Sequence, residues 1–186
     1  MTKPRGKAKA AGRRDSGKTT HRQKPTRKGE PVVRVLADPE TVARAAAGEF
    51  VRLSRKLHAK GHAFRVALSG GSTPRRTYEL LAQAPFRDMV DWKRVHFFWG
   101  DERCVPPDHP DSNYRMIREA LLDHADIPAG NFHRMKAELA DLEQAAGDYA
   151  SDLARVLEPQ DGNRPRLDMV FLGMGPDGHT ASLFPG

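Results

Sequence analysis

The feature that most constrains this chain is an alternation of short apolar runs with segments of helical spacing. Phe64–Leu68, Val95–Trp99 and residues 167–172 are runs of five or six residues dominated by Val, Leu, Phe and other apolar side chains. Runs this apolar predict strands covered on both faces, as in a parallel sheet. Between them, Val42, Ala46, Phe50, Leu53 and Leu57 stand at helical spacing over residues 40–60, behind the start signal Asp38-Pro39-Glu40 and ahead of Gly61. A second helix is expected from Pro74, with Tyr78, Leu80 and Leu81 packing inward, and a third over 112–122 behind a Ser/Asn cap. Residues 138–157 carry the cleanest amphipathic stripe: Leu139, Leu142, Ala146, Tyr149, Leu153 and Val156. The β-branched stretch at 31–36 and the weaker run at 131–135 complete the set as a first and a fourth strand. The predicted class is α/β: a three-layer, Rossmann-like, mostly parallel sheet with helices on both faces.

Charge divides the chain in two. The net charge of +7 over 186 residues arises entirely in residues 1–30, which hold eleven Lys/Arg against Asp15 and Glu30. The remainder, with twenty basic and twenty-two acidic groups, is mildly acidic. We therefore divide the chain into a basic tail, 1–30, and an α/β domain, 31–186. After Met1 the tail has no aromatic residue and no aliphatic larger than alanine, so it is expected to be disordered. Electrostatic docking on nucleic acid or another acidic surface is the alternative reading. The tail has no apolar core of a secretory signal; its basic, acid-poor composition is like a transit peptide, but without an amphipathic face. No stretch approaches the roughly 20 apolar residues of a membrane span. Cys104 is the only cysteine, so no internal disulfide forms, and a cytoplasmic protein is expected.

In parallel sheets ligands bind beyond the carboxyl ends of the strands. Three loops follow strands here, and each carries chemistry. Ser69-Gly70-Gly71-Ser72-Thr73-Pro74 has glycines for close backbone approach, two hydroxyls, a cap at Thr73 and proline at the first helical position. Free N–H groups at such a helix start favour phosphate; the plainer reading is a strand-to-helix turn. It is neither a Walker loop nor a GxGxxG turn, and Ser72 is not in a nucleophile elbow. Asp101-Glu102-Arg103 reads either as a surface ion-pair cluster or, beside an anion loop, as a site in which Arg103 clamps phosphate or carboxylate. In Gly173-Met174-Gly175-Pro176-Asp177-Gly178-His179, a histidine stands two residues after a carboxylate in a glycine-flexed loop. His179 can take a proton from water, and Asp177 can orient it. The other seven histidines are read as structural, and no ligand spacing for a metal is present.

Together LSGGSTP (68–74), FFWGDERCVPPDHPDSNYRM (97–116) and LDMVFLGMGPDGHTASLFPG (167–186) resemble the 6-phosphogluconolactonases, in the wider group that includes glucosamine-6-phosphate deaminases. The resemblance runs from about residue 31 to the end. It implies metal- and cofactor-free hydrolysis of 6-phospho-D-glucono-1,5-lactone to 6-phosphogluconate, in the oxidative pentose phosphate pathway. It implies His179 as catalytic histidine supported by Asp177, with Ser69, Gly70, Gly71, Ser72, Thr73, Asp101 and Arg103 binding substrate. Deaminases of the group usually continue after the histidine with an acidic segment, whereas Thr180–Gly186 contains no acid, so deamination ranks second. A sugar-phosphate binder without turnover is the third reading. Members of the group usually continue past this motif, so the resemblance also implies a missing C-terminal part and an apolar surface left uncovered near 167–172.

Overall fold

The computed structural model describes residues 31–157 and 165–186. The basic segment 1–30 and its expected disorder lie outside the described residues. The compact unit that holds the site is Leu36–Gly186.

Four parallel strands form the sheet: β1 (Phe64–Leu68), β2 (Val95–Trp99), β3 (Phe132–His133) and β4 (Met169–Val170), in the order β3-β2-β1-β4. The register pairs Phe64 with Val95 through to Leu68 with Trp99, so the two long strands end together. β4 joins the other edge of β1, pairing Val66 with Met169. The helices are α1 (Pro39–His58), α2 (Ser72–Leu81), α3 (Asn113–Ala120) and α4 (Leu142–Val156).

One face of the sheet presents Phe64, Val66, Leu68, Val95, Phe97 and Trp99 to α1, α2 and α3, and all six are buried. Phe50 of α1 meets Phe64 edge-on with ring centroids 5.0 Å apart. Ala67 and Phe98 point the other way and pack with Leu157 and the flank of α4, Leu153 and Val156. This is the three-layer α/β arrangement that the apolar strands predict.

Several local expectations differ. Residues 31–36 form no strand: Val33 and Val35 are 81% and 91% exposed, and a β-branched run holds as a strand only where neighbours cover it. The outer strands at 131–135 and 167–172 shrink to two residues each. The buried stripe of α1 is Ala43, Ala47, Phe50, Val51 and Ser54, with Val42 exposed, so the helix is rotated by about one position from the predicted face. α4 begins at Leu142 behind the cap Asp141, whose carboxylate accepts from Gln144 N–H. Leu139, Leu142 and Ala146 are exposed, and the helix engages the sheet instead through Ala145, Tyr149 and Leu153. α2 starts at Ser72 with Gly71 as its cap, so Thr73 does not cap it and Pro74 is its third residue. Near 167–172, Val170 and Leu172 are exposed among the described residues.

Candidate active site

The parallel topology carries all three loops to one edge, where they enclose a cleft of about 270 Å³. Its lining comprises 69–74 from the first loop, Asp101, Arg103 and Asn113 from the second, and Gly173–Gly175, His179 and Ala181 from the third. Every candidate except Asp177 lines it, and Asp177 reaches it through His179. A second cavity, about 510 Å³, lies by β3 and α4. Its His133, Arg134 and Asp152 are already paired, His133 with Asp152 at 2.8 Å and Arg134 with Glu138 at 2.6 Å.

The first loop is shaped by backbone. Gly71 adopts φ +108°, which a side chain would strain, and this turn opens α2 without a side-chain cap. The N–H groups of Ser72 and Thr73 therefore have no partner among the described residues and stand at the positive end of α2. The loop is fixed from below by Tyr78, whose hydroxyl donates to Ser69 O and accepts from Ser69 N–H, both at 3.1 Å. Burial pushes that hydroxyl well above its ordinary pKa, so it keeps the proton that this double role needs. Ser69 Oγ is buried in the cleft wall without a partner.

The second loop separates its charges. Glu102 does not pair with Arg103. Its carboxylate accepts from the N–H groups of Asn113 at 2.7 Å, Tyr114 at 2.8 Å and Arg103 at 2.8 Å, and from the Ser112 hydroxyl at 3.2 Å. This binds the loop to the start of α3, where a negative charge is favoured. Arg103 is left exposed at the cleft, with no side-chain hydrogen bond or ion pair among the described residues. Arg52, Arg76, Arg115 and Arg134 are all paired with carboxylates. An unpaired guanidinium and open helix-end N–H groups lining one cleft give it the chemistry to hold an anion.

The third loop holds its histidine by a carboxylate. Asp177 Oδ1 lies 2.5 Å from His179 Nδ1 and also accepts from the His179 N–H at 3.3 Å. These bonds hold the Asp177 carboxyl below its ordinary pKa, so Asp177 is the charged acceptor and Nδ1 the donor. With Nδ1 donating, the lone pair of the neutral ring lies on Nε2. Phe184 lies against the imidazole, with centroids 4.9 Å apart. Gly175 is required by contact: a Cβ there would sit 2.2 Å from His179 Cε1.

Three residues beyond the named candidates shape this edge. Glu102 is the capping acid described above. Asn113, buried, donates to Asp101 O at 3.1 Å and to Asp101 Oδ1 at 3.4 Å, and its Oδ1 lies 2.0 Å from where a Cβ on Gly70 would fall. Ser182 donates to Asp101 Oδ2 at 2.9 Å. Asp101 thus faces Asn113 and Ser182, whereas Asp177 faces the histidine.

Fold and cleft together define an α/β protein with, at the carboxyl edge of a parallel sheet, a loop of open helix-end N–H groups, an arginine unpaired among the described residues and a histidine–carboxylate pair. Residues 37–186 match the family described as glucosamine-6-phosphate isomerases/6-phosphogluconolactonase, and the chain belongs to that family. A 6-phosphogluconolactonase of Synechocystis sp. is 45% identical over 156 residues, covering 83% of this chain and 63% of the relative. The 6-phosphogluconolactonase structure from Trypanosoma brucei superposes with a TM-score of 0.74 at 34% identity, covering 84% of this chain and 64% of that one. A monomeric glucosamine-6-phosphate deaminase shares the fold, with a TM-score of 0.66 at 18% identity over 78% of this chain and 56% of that one. The chain thus spans less than two thirds of the length of each.

Proposed function

We propose that this chain hydrolyses 6-phospho-D-glucono-1,5-lactone to 6-phospho-D-gluconate. The observation that carries the reading is the meeting, in one cleft, of the Asp177-held His179, the unpaired Arg103 and the open N–H groups of the 69–73 loop. In this reading the loop and Arg103 bind the phosphate and hydroxyls, with Ser69 Oγ a further polar group in the wall. His179 Nε2 takes a proton from water, whose oxygen attacks the lactone carbonyl. Asp177 stabilises the imidazolium so formed. When the tetrahedral centre collapses, the ring C–O bond breaks and the imidazolium returns the proton to the departing ring oxygen. A lactone is already electrophilic, so activated water and donors for the oxyanion are enough without a covalent nucleophile. The segment Thr180–Gly186 contains no acid, which favours hydrolysis over deamination. No helix among the described residues is long and apolar enough to cross a membrane.

Initial rates on three compounds test this. The phosphorylated lactone should be consumed faster than it hydrolyses spontaneously. The unphosphorylated 1,5-gluconolactone should react with a kcat/KM about 100-fold lower or worse, because the anion site is left empty. Glucosamine 6-phosphate should release no ammonia. Equal rates on both lactones would remove the phosphate loop from the account, and ammonia release would replace hydrolysis with deamination.

A further inference from the structure

The loop that carries His179 is fastened at two places. At its root Phe171 N–H donates to Ala67 O at 2.9 Å, and the Phe171 ring meets Tyr78 edge-on. Beyond that, 172–186 bonds mostly to itself: Gly175 N–H to His179 O, Thr180 Oγ1 to Gly173 O, and Thr180 with Leu183 in both directions. Packing adds little, since Leu172, Met174, Leu183 and Phe184 are all exposed. Among the described residues, one hydrogen bond alone leaves 172–186 for the rest of the molecule, from Ser182 Oγ to Asp101 Oδ2 at 2.9 Å. Its acceptor is itself anchored, because Asn113 holds both the carbonyl and the other carboxylate oxygen of Asp101. Next to Ser182, Ala181 adopts φ +49°, a backbone conformation that a residue with a Cβ keeps only where its surroundings hold it.

Resting on the hydrolase reading, we propose that Ser182 and Asp101 form a latch that sets His179 against the other two loops. Ser182 is then a positioning residue. Asp101 is the hub at which the glycine loop, through Asn113, meets the histidine loop, and it takes no proton from water. A hydroxyl bonded to a carboxylate suits this role, because charge-assisted bonds are the stronger ones at an exposed site. Losing the latch removes the bond that ties 172–186 to the second loop among the described residues, while leaving the root strand and the 69–73 loop in place. The cost should therefore fall on kcat and not on substrate binding.

The test compares Ser182→Ala and Ser182→Thr with the unaltered chain, by lactonase kinetics and by hydrogen–deuterium exchange of the 172–186 peptide. For Ser182→Ala we expect kcat to fall about tenfold with KM changed less than about twofold. Exchange in 172–186 should quicken, and threonine, which keeps the hydroxyl, should restore both readouts. A raised KM at unchanged kcat would make Ser182 a substrate contact and overturn the latch. So would alanine and unaltered proteins alike in kcat and exchange. If the unaltered chain shows no lactonase activity, the hydrolase reading fails, and exchange alone then decides the latch: quicker in Ser182→Ala upholds it, unchanged refutes it.

Discussion

Gly175→Ala isolates the His179–Asp177 geometry with a single methyl group. The methyl would lie 2.2 Å from His179 Cε1, 2.3 Å from Nδ1 and 2.8 Å from Asp177 Oδ1. Non-bonded carbons rest at about 3.5 Å or more, so the ring must retreat by over 1 Å (roughly). Retreat breaks the 2.5 Å bond to Asp177, since the methyl lies against both partners. A misplacement of about 1 Å costs on the order of 100-fold in rate. Gly147→Ala is the control: a Cβ there has nothing within 4 Å, and the residue lies on α4, outside the cleft. The assay is the initial rate of 6-phosphogluconolactone loss above its spontaneous hydrolysis, with melting temperature as the check on folding. We expect kcat to fall about 100-fold in Gly175→Ala, nearly wild-type kcat in Gly147→Ala, and little change in melting for either. Full activity in Gly175→Ala would refute the reasoning, because the imidazole would then work without its observed position.

Three further predictions follow from other parts of the structure. Glu102→Ala strips the acceptor from three N–H groups at and before the start of α3 and should cost about 1–3 kcal/mol of stability, read as a lower melting temperature; no change would mean that water replaces the carboxylate. Arg103→Ala should raise KM for the phosphorylated lactone about tenfold or more with kcat little altered, and lysine should restore only part of it, lacking the planar fork; a fall in kcat alone would contradict an anion-binding role. Burial, with His133 and Arg65 nearby, holds His96 below its ordinary value of 6.5, so the fold binds fewer protons than the unfolded chain. That part of the stability is present above pH 6.5 and declines as the pH falls through 6.5 towards the folded value. His96→Asn should therefore flatten the dependence of melting temperature on pH between about 7 and 5. An unchanged slope would contradict it.

How much of this was legible in the sequence depends on how local each signal is. β1 and β2 can be read residue by residue, because strands buried on both faces leave no polar alternation to misplace. The same apolar cue misleads at 31–36, where nothing in the run itself says whether a neighbour will cover it. The start of α2 is shifted because a glycine backbone at φ +108° makes the turn, where the hydroxyl of Thr73 is the stronger sequence signal. The site's edge follows from topology: parallel strands bring the loops after β1, β2 and β4 together, and the cleft lies there. The bonds of Glu102, Asn113 and Ser182 escape sequence reading because they join residues 11, 12 and 81 positions apart. No periodicity encodes such pairs. They are also what distinguishes the two acids, since Asp177 touches the histidine itself and Asp101 touches Asn113 and Ser182.

The most direct measurement of the central claim is the initial rate of 6-phosphogluconolactone loss with this chain and with His179→Ala, side by side. The account predicts a rate above spontaneous hydrolysis that falls on the order of 100- to 10,000-fold when the imidazole is removed. A rate that survives His179→Ala would contradict the assignment of His179 as the base. No rate from the unaltered chain would contradict the claim that this chain is itself a working lactonase.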